Sequence, residues 1–271
     1  MIAQLVSASA GAGAKGVVYV EGVDRPDPLS PETIGDFWLA GARDERLAQQ
    51  LALLPSTDKM LADAFSETRC AVAVDGMSAA RDYAHLQLER ADASASTTIG
   101  ADGAQYFGLP GVHLNAPLSP ALAAAAALTV SALPADKDGM VRSATFLWTA
   151  GGRLTPLSAL EAARLALDAD KISIIADQTA VTSVGQSAAA IRLANRSFPV
   201  TSAASTRIYF PRRLDTPKTP AWKLIGDRTS LGQLSGKVVI IGLDDAVGLS
   251  IKTARGPMSV TEAQALIARQ I

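Results

Sequence analysis

Few residues in this sequence could do chemistry, and their spacing limits what each could do. Asp244 and Asp245 follow, after Leu243, on Val238-Val239-Ile240-Ile241-Gly242, whose first four residues are the most apolar strand-like run in the chain. In open α/β sheets, ligands favour the carboxyl ends of strands. Two carboxylates there could bind a cation or a basic ligand, and they could equally cap the following turn. Asp136 and Asp138 precede Gly139. A calcium loop of the EF-hand kind needs an oxygen ligand at its first position and Glu at its twelfth. Set on Gly139, those positions hold Pro134 and Thr145, so calcium chemistry fails. The segment Pro134–Gly139 reads instead as a turn in which Asp accepts backbone N–H bonds. Arg142 pairs with Asp138 in this reading and pins the turn.

Glu161 stands in an otherwise apolar helical stretch, Leu157–Leu167. A carboxylate held against a core is costly unless paired. Arg164, three residues on, is a same-face partner. A surface position is the plain reading of Glu161, and a buried pairing with Arg207 or another base is the sharper one.

Other motifs fall short of a mechanism. Gly11, Gly13 and Gly16 spell G-x-G-x-x-G, but the strand Val17–Val20 follows the glycines where the dinucleotide fingerprint needs a strand before them. A glycine turn closing a helix over residues 1–10 is expected instead. Gly185-Gln186-Ser187-Ala188-Ala189 lacks the last glycine of a nucleophile elbow. His85 and His113 have no partner spacing, and no zinc-ligand pattern exists. No metal or cofactor is expected. Cys70, the single cysteine, excludes an internal disulfide, and Cys70-Ala71-Val72-Ala73-Val74 reads as a buried strand with a structural thiol.

The elements that must position these residues alternate between helical and extended patterns. Of 271 residues, 48% are hydrophobic and 19% charged, a globular composition that excludes disorder and collagen. A net charge of −1 gives no footprint for nucleic acid, and Arg207, Arg212 and Arg213 read as a solvated basic loop. Helices are expected over 43–54, 57–68, 157–167 and 260–269, with a polar helical segment from Trp222 to Leu234. Strands are expected at 140–149, 172–175, 181–184, 190–193, 207–210 and 238–242. The last of these is continuous in a way that suits burial on both faces. Residues 81–101 read as a polar excursion, and Gly151-Gly152 as a turn. Ala121–Leu133 falls short of the roughly 20 residues that span a bilayer and reads as a buried helix. The start lacks the basic region of a signal peptide, so the chain reads as a soluble protein or a soluble excised piece. The expected fold is α/β, a single layered domain with a mixed, largely buried central sheet flanked by helices.

Four segments also occur in a familiar order: Gly13–Tyr19, Pro134–Arg142, Leu157–Arg164 and Gly236–Gly242, with Ala263-Gln264-Ala265-Leu266 after them. Together they resemble the type-two CHASE sensor domain, the extracytoplasmic input domain of bacterial cyclases, histidine kinases and related receptors. The resemblance covers nearly the whole chain. It implies one domain over 1–271, lacking its first strand, with no catalytic role of its own. It also implies one membrane-spanning helix before the domain and usually three after it, on the periplasmic side of an inner membrane. A cytoplasmic output domain would follow: a nucleotide cyclase, a histidine kinase, a diguanylate cyclase or a protein kinase. The implied partners are a small-molecule or protein signal and a second copy of the chain, and no nucleic acid. Family members often carry an acid where Val20 stands, although Glu21 is adjacent, and favour Thr and Ser where this chain has Leu243-Asp244-Asp245. Their usual Glu and His fall on Val260 and Glu262. Asp244, Asp245 and Glu262 are therefore the candidate ligand-binding residues, and Asp138, Arg142, Glu161 and Arg207 the structural polar ones. The competing reading is a soluble α/β enzyme acting on a small polar substrate, and a third is an interaction domain with no ligand.

Overall fold

A computed structural model describes residues 1–22, 30, 31, 34, 45–74, 76–78, 99–100, 109, 111–114, 126–150, 153–176, 188–211, 217–226, 228–244 and 250–271. In chain order the helices are α1 (Ile2–Gly11), α2 (Glu45–Ala52), α3 (Thr57–Ser66), α4 (Ser158–Ala166), α5 (Ala221–Gly226) and α6 (Val260–Gln270). The first strands are β1 (Gly16–Tyr19), β2 (Cys70–Val74), β3 (Gly76–Ser78), β4 (Ile99–Gly100), β5 (Gly111–Leu114) and β6 (Ala127–Val130). Then come β7 (Met140–Val141), β8 (Ser143–Thr145), β9 (Leu147–Ala150), β10 (Arg153–Pro156), β11 (Ile172–Ala176) and β12 (Ala188–Leu193). The last are β13 (Arg196–Pro199), β14 (Ser205–Arg207), β15 (Val238–Ile241), β16 (Ser250–Thr253) and β17 (Gly256–Ser259).

The α/β class holds. A parallel sheet in the order β15-β1-β2-β6 forms the centre. Alternate residues of β1 and its extension face opposite layers, as the two-residue period of a strand requires. Val17 and Tyr19 pack with Cys70 and Val72 against Val6 of α1 and Phe65 of α3. Val18 and Val20 pack with Ala71 against Ala162 and Leu165 of α4. The opposite side of α4, with Ala159, Leu160 and Ala163, joins a second core containing Ile172, Ile191, Leu193, Ala263 and Ile267. Helix α4 is thus packed between the parallel sheet on one side and, on the other, helix α6 and the core that also takes in residues of β11 and β12. That position explains why it is apolar nearly all round.

Leu165 leaves no room beneath it. A Cβ on Gly16 would lie 2.8 Å from the Arg69 carbonyl oxygen and 2.9 Å from Leu165 Cδ1. The glycine series Gly11, Gly13, Gly16 therefore closes α1, turns through Gly13 at φ +78°, and admits a helix against the start of β1. It follows a helix and precedes a strand, which is the reverse of a dinucleotide site.

The amino end of the sheet is closed by charges. Asp168, just past α4, accepts from Lys15 and from Arg69, the latter at 2.8 Å, and Lys15 Nζ also donates to the Ala166 carbonyl at 3.2 Å. The two cations sit where the carbonyls of α4 are unsatisfied and negative charge accumulates. Their hydrogen bonds, Lys15 first, hold the Asp168 carboxyl below its usual range.

Several expectations need correction. Of the helix expected over Ala121–Leu133, residues 121–125 lie outside the described residues, and the part that follows contains the strand Ala127–Val130, which takes a parallel ladder with Ala71–Val74. Strand β15 is not buried on both faces: it is an edge among the described strands, and all four of its residues are half-buried. Strands β1 and β2 are continuously buried. The single strand expected at 140–149 is three, β7, β8 and β9, each with a different partner. The strand expected at 207–210 ends at Arg207, and the segment from Trp222 divides into α5 and a 3-10 helix, Arg228–Leu234. Trp38, the Gly151-Gly152 turn, the strand at 181–184 and residues 81–98 of the polar excursion lie outside the described residues. Among the described residues no helix is long and apolar enough to cross a membrane.

Gly16→Ala tests the close approach of α4. The added methyl meets backbone on one side and a packed leucine on the other, so it should destabilise the fold by about 1–3 kcal/mol in denaturant unfolding. An unchanged midpoint would show that α4 yields freely.

Candidate functional site

Strand order locates the candidate site. Strands β1, β2 and β6 progress in one direction across the sheet, and the chain then crosses back to place β15 on the far side of β1. The order reverses between β1 and β15, and a crevice outside the carboxyl ends of two such strands is where open α/β sheets bind ligands. The residues leaving those two ends are Val20-Glu21 and Gly242-Leu243-Asp244.

These residues hold one another closely. Glu21 Oε1 accepts the Leu243 N–H at 2.9 Å, and Thr261 Oγ1 in the first turn of α6 donates to the Leu243 carbonyl at 3.1 Å. A Cβ on Gly242 would collide with Thr261 Oγ1 and lie 2.6 Å from Val20 Cγ2. Only glycine lets α6 start this close to the sheet.

The charged groups gather around Glu262. Its Oε2 meets Lys218 Nζ at 3.1 Å, and its Oε1 meets an Arg255 guanidinium nitrogen at 3.4 Å. Lys218 also reaches Asp244 at 3.6 Å. Burial alone would lower the Lys218 pKa, but the Glu262 hydrogen bond and the two carboxylate charges hold it above the ordinary lysine range. Ser259 caps α6 by accepting the Glu262 N–H at 3.1 Å, which fixes the base of the Glu262 side chain. Two carboxylates, one ammonium and one guanidinium thus converge from three separate chain segments. Such a set can receive a polar ligand of either sign by exchanging one of its own ion pairs.

Of the three residues expected to bind ligand, Asp244 and Glu262 come together through Lys218. Asp245 lies outside the described residues. Sequence reasoning missed Lys218 and Arg255. Lys218 stands between Pro217 and Pro220, and Arg255 stands in the turn between β16 and β17, so neither lies on a periodic element that would have marked it. Glu21 was visible only as an acid beside Val20.

The structural polar residues have separate roles. Arg142 donates to Asp136 at 2.8 Å and makes paired bonds to Asp138 at 2.9 and 2.6 Å, and Asp138 also accepts the Met140 N–H. The Pro134–Gly139 turn is pinned as expected, with Asp136 as an added partner. Glu161 is not on the surface. It is 1% exposed and makes a two-bond pair with Arg164, at 2.7 and 2.9 Å. Arg164 also donates to the Ala169 carbonyl. The partner of the buried Glu161 is thus the half-buried Arg164, while Arg207 is exposed on β14. Cys70 is buried, and burial above all pushes its thiol up to about 12, so it is an inert thiol. His113 lies on β5 in a different sheet, and His85, Ser187, Arg212 and Arg213 lie outside the described residues. Trp148 is buried, whereas Trp222 is 74% exposed. Among the described residues no group of three or more His, Cys, Asp or Glu side chains is placed to hold a metal.

Removing one partner of the buried pair should be costly. Arg164→Leu leaves the Glu161 carboxylate buried and unpaired, and should lower stability by about 3 kcal/mol. Adding Glu161→Leu to it should recover much of that loss in denaturant unfolding. Equal losses in the single and double variants would contradict the pairing.

The turn makes a pH prediction. The Arg142 hydrogen bonds, with the Met140 N–H, lower the Asp138 pKa from 3.8 to about 2. A carboxyl depressed on folding stabilises the folded state above its unfolded pKa, and that contribution is lost as pH falls through the folded value. The loss should therefore span the range from about 4 down to about 2. In a carbon-detected NMR titration Asp138 should show its midpoint near the lower end of that range, and Arg142→Leu should move it upward. A midpoint unmoved by Arg142→Leu would assign the shift elsewhere.

A family model for the CHASE2 domain matches residues 1–271, the whole chain. No curated protein and no solved structure is matched. The family is one of sensory extracytoplasmic domains rather than of catalysts. Four ordered sequence segments and an α/β fold with a parallel central sheet agree with a match over the full length: the chain belongs to the CHASE2 domain family.

Proposed function

We propose that this chain is the signal-sensing input domain of a bacterial membrane receptor, and that it receives its signal at the crevice between β1 and β15. The observation that carries the location is the convergence of Lys218, Arg255, Glu262 and Asp244 at the point where the strand order reverses. A ligand that pairs with one member of this set releases another, and so favours one arrangement of the surrounding segments over a second. Sensing needs only that difference in affinity between two states. In this reading the domain sits on the periplasmic side of the inner membrane, tethered by flanking helices and paired with a second copy. Its output enzyme, a nucleotide cyclase, a histidine kinase or a diguanylate cyclase, lies elsewhere in the parent chain.

The test is a thermal-shift panel of small organic acids, amines and amino acids. At least one class should raise the melting temperature, because ligands that bind only the folded state stabilise it. Lys218→Ala and Glu262→Gln should abolish that response while leaving the unliganded midpoint within a few degrees. A response that survives both substitutions would place the ligand elsewhere, and a panel with no response would favour a ligandless interaction domain.

A further inference from the structure

Helix α6 carries more than the charged cluster at its first turn. Two glutamines fix it further along, and each uses both ends of its amide. Gln264 is fully buried; its Oε1 accepts the Ala159 N–H at 2.8 Å and its Nε2 donates to the Ser131 carbonyl at 2.9 Å. It therefore caps the start of α4 from a neighbouring helix and ties α6 to the end of β6. At the far end Gln270 Oε1 accepts the Tyr209 N–H at 3.0 Å, and its Nε2 donates to the Tyr209 carbonyl at 2.6 Å. Tyr209 follows β14, outside the parallel sheet. Glu262 and Gln270 are about 12 Å apart along the helix axis. Between them α6 and α4 contribute small residues, Ala159, Ala163 and Ala263, to their shared core.

We infer that α6 is the transmitting element of the domain: a stiff rod that couples the charged latch at Glu262 to the Tyr209–Gln270 clasp. Each end is held by polar side chains, and between them Ala159, Ala163 and Ala263 lie beside Leu160 and Ile267 in the core that α6 shares with α4. An α-helix resists internal deformation, so a shift imposed at its first turn is delivered to its last. The Gln264 amide bonds define one register of α6 against α4, and a discrete register is what lets a small displacement become a switch between two packings. This rests on the charged cluster being the receiving site.

The Tyr209 amide proton is a direct reporter, because its acceptor is a side chain of α6. Its exchange rate should be measured by NMR in the unmodified protein, in Glu262→Gln and in Gln270→Ala. Glu262→Gln should accelerate Tyr209 exchange between about 1.5-fold and fivefold, the range expected for losing partly exposed ion pairs. The neighbouring Ile208 amide, which donates to the Arg142 carbonyl and not to α6, should keep its rate. Gln270→Ala sets the upper limit for Tyr209. Raising the salt concentration on the unmodified protein should act as Glu262→Gln does, since exposed pairs are screened. Acceleration confined to residues 259–264 overturns the inference, and so does equal acceleration of Ile208 and Tyr209. No ligand enters this experiment, so its failure would leave the binding proposal standing, and a failed ligand panel would not decide it.

Discussion

Strand β1 is the constraint on which the rest of the structure depends. It lies between β15 and β2, and the run Val17–Val20 is buried on both faces. One set of alternate side chains anchors α1 and α3, and the other anchors α4. Burying four such side chains contributes on the order of 1.5–3 kcal/mol for each large one, before the entropy of ordering the chain is subtracted. The parallel register Gly16↔Val238 to Tyr19↔Ile241 then fixes where both strands stop. Glu21 and Leu243 meet because that register brings the two strand ends level. The candidate site is a consequence of strand pairing first and of charge second.

The two ends of the sheet use charge differently. At the amino end, Asp168 receives Lys15 and Arg69, and Lys15 also serves the Ala166 carbonyl at the end of α4. That set closes on itself and has a structural purpose at a helix C-terminus. At the carboxyl end, one carboxylate serves two cations, and one of those cations also serves a second carboxylate. The two inner members, Lys218 and Glu262, each divide between two partners. A closed set holds a structure in place, whereas a shared set can be redistributed at small cost when a new charge arrives.

The fold class was legible in the sequence because long periodic segments and apolar runs dominate it. Helix α4 was found by its pattern and the turn at Pro134–Gly139 by its Asp and Gly content. The errors have one physical origin: propensity and periodicity report on an isolated segment, while partners decide the outcome. Ala127–Val130 reads as the end of an alanine helix, yet its Thr129 and Val130 suit a strand and it pairs with Ala71–Val74. Val238–Ile241 reads as fully buried, yet burial depends on its place in the sheet, which composition does not encode. Glu161 reads as a surface residue until α4 is found packed on both sides. In the site, Glu262 and Asp244 were legible through the family pattern and the strand end. Lys218 and Arg255 were not, because each arrives from a turn or loop whose position only the tertiary structure sets.

Glycine 242 joins these threads. Any side chain there would strike Thr261 and Val20, pushing α6 away from the carboxyl edge of β1 and β15. Thr261 would then lose the Leu243 carbonyl, and Glu262 would move with it, because the two are successive residues in one helical turn. Lys218 and Asp244 come from other chain segments, so the distances from Glu262 to Lys218 and from Lys218 to Asp244 would change together. A single absent methyl at the end of an apolar strand therefore keeps four charged side chains from three chain segments within reach of one another. The same close approach fixes the starting point of α6, whose fully buried Gln264 bonds the Ala159 N–H and the Ser131 carbonyl and so sets its register against α4 and β6. Backbone proximity at Gly242 thus sets both the composition of the charged cluster and the position of the helix that leaves it.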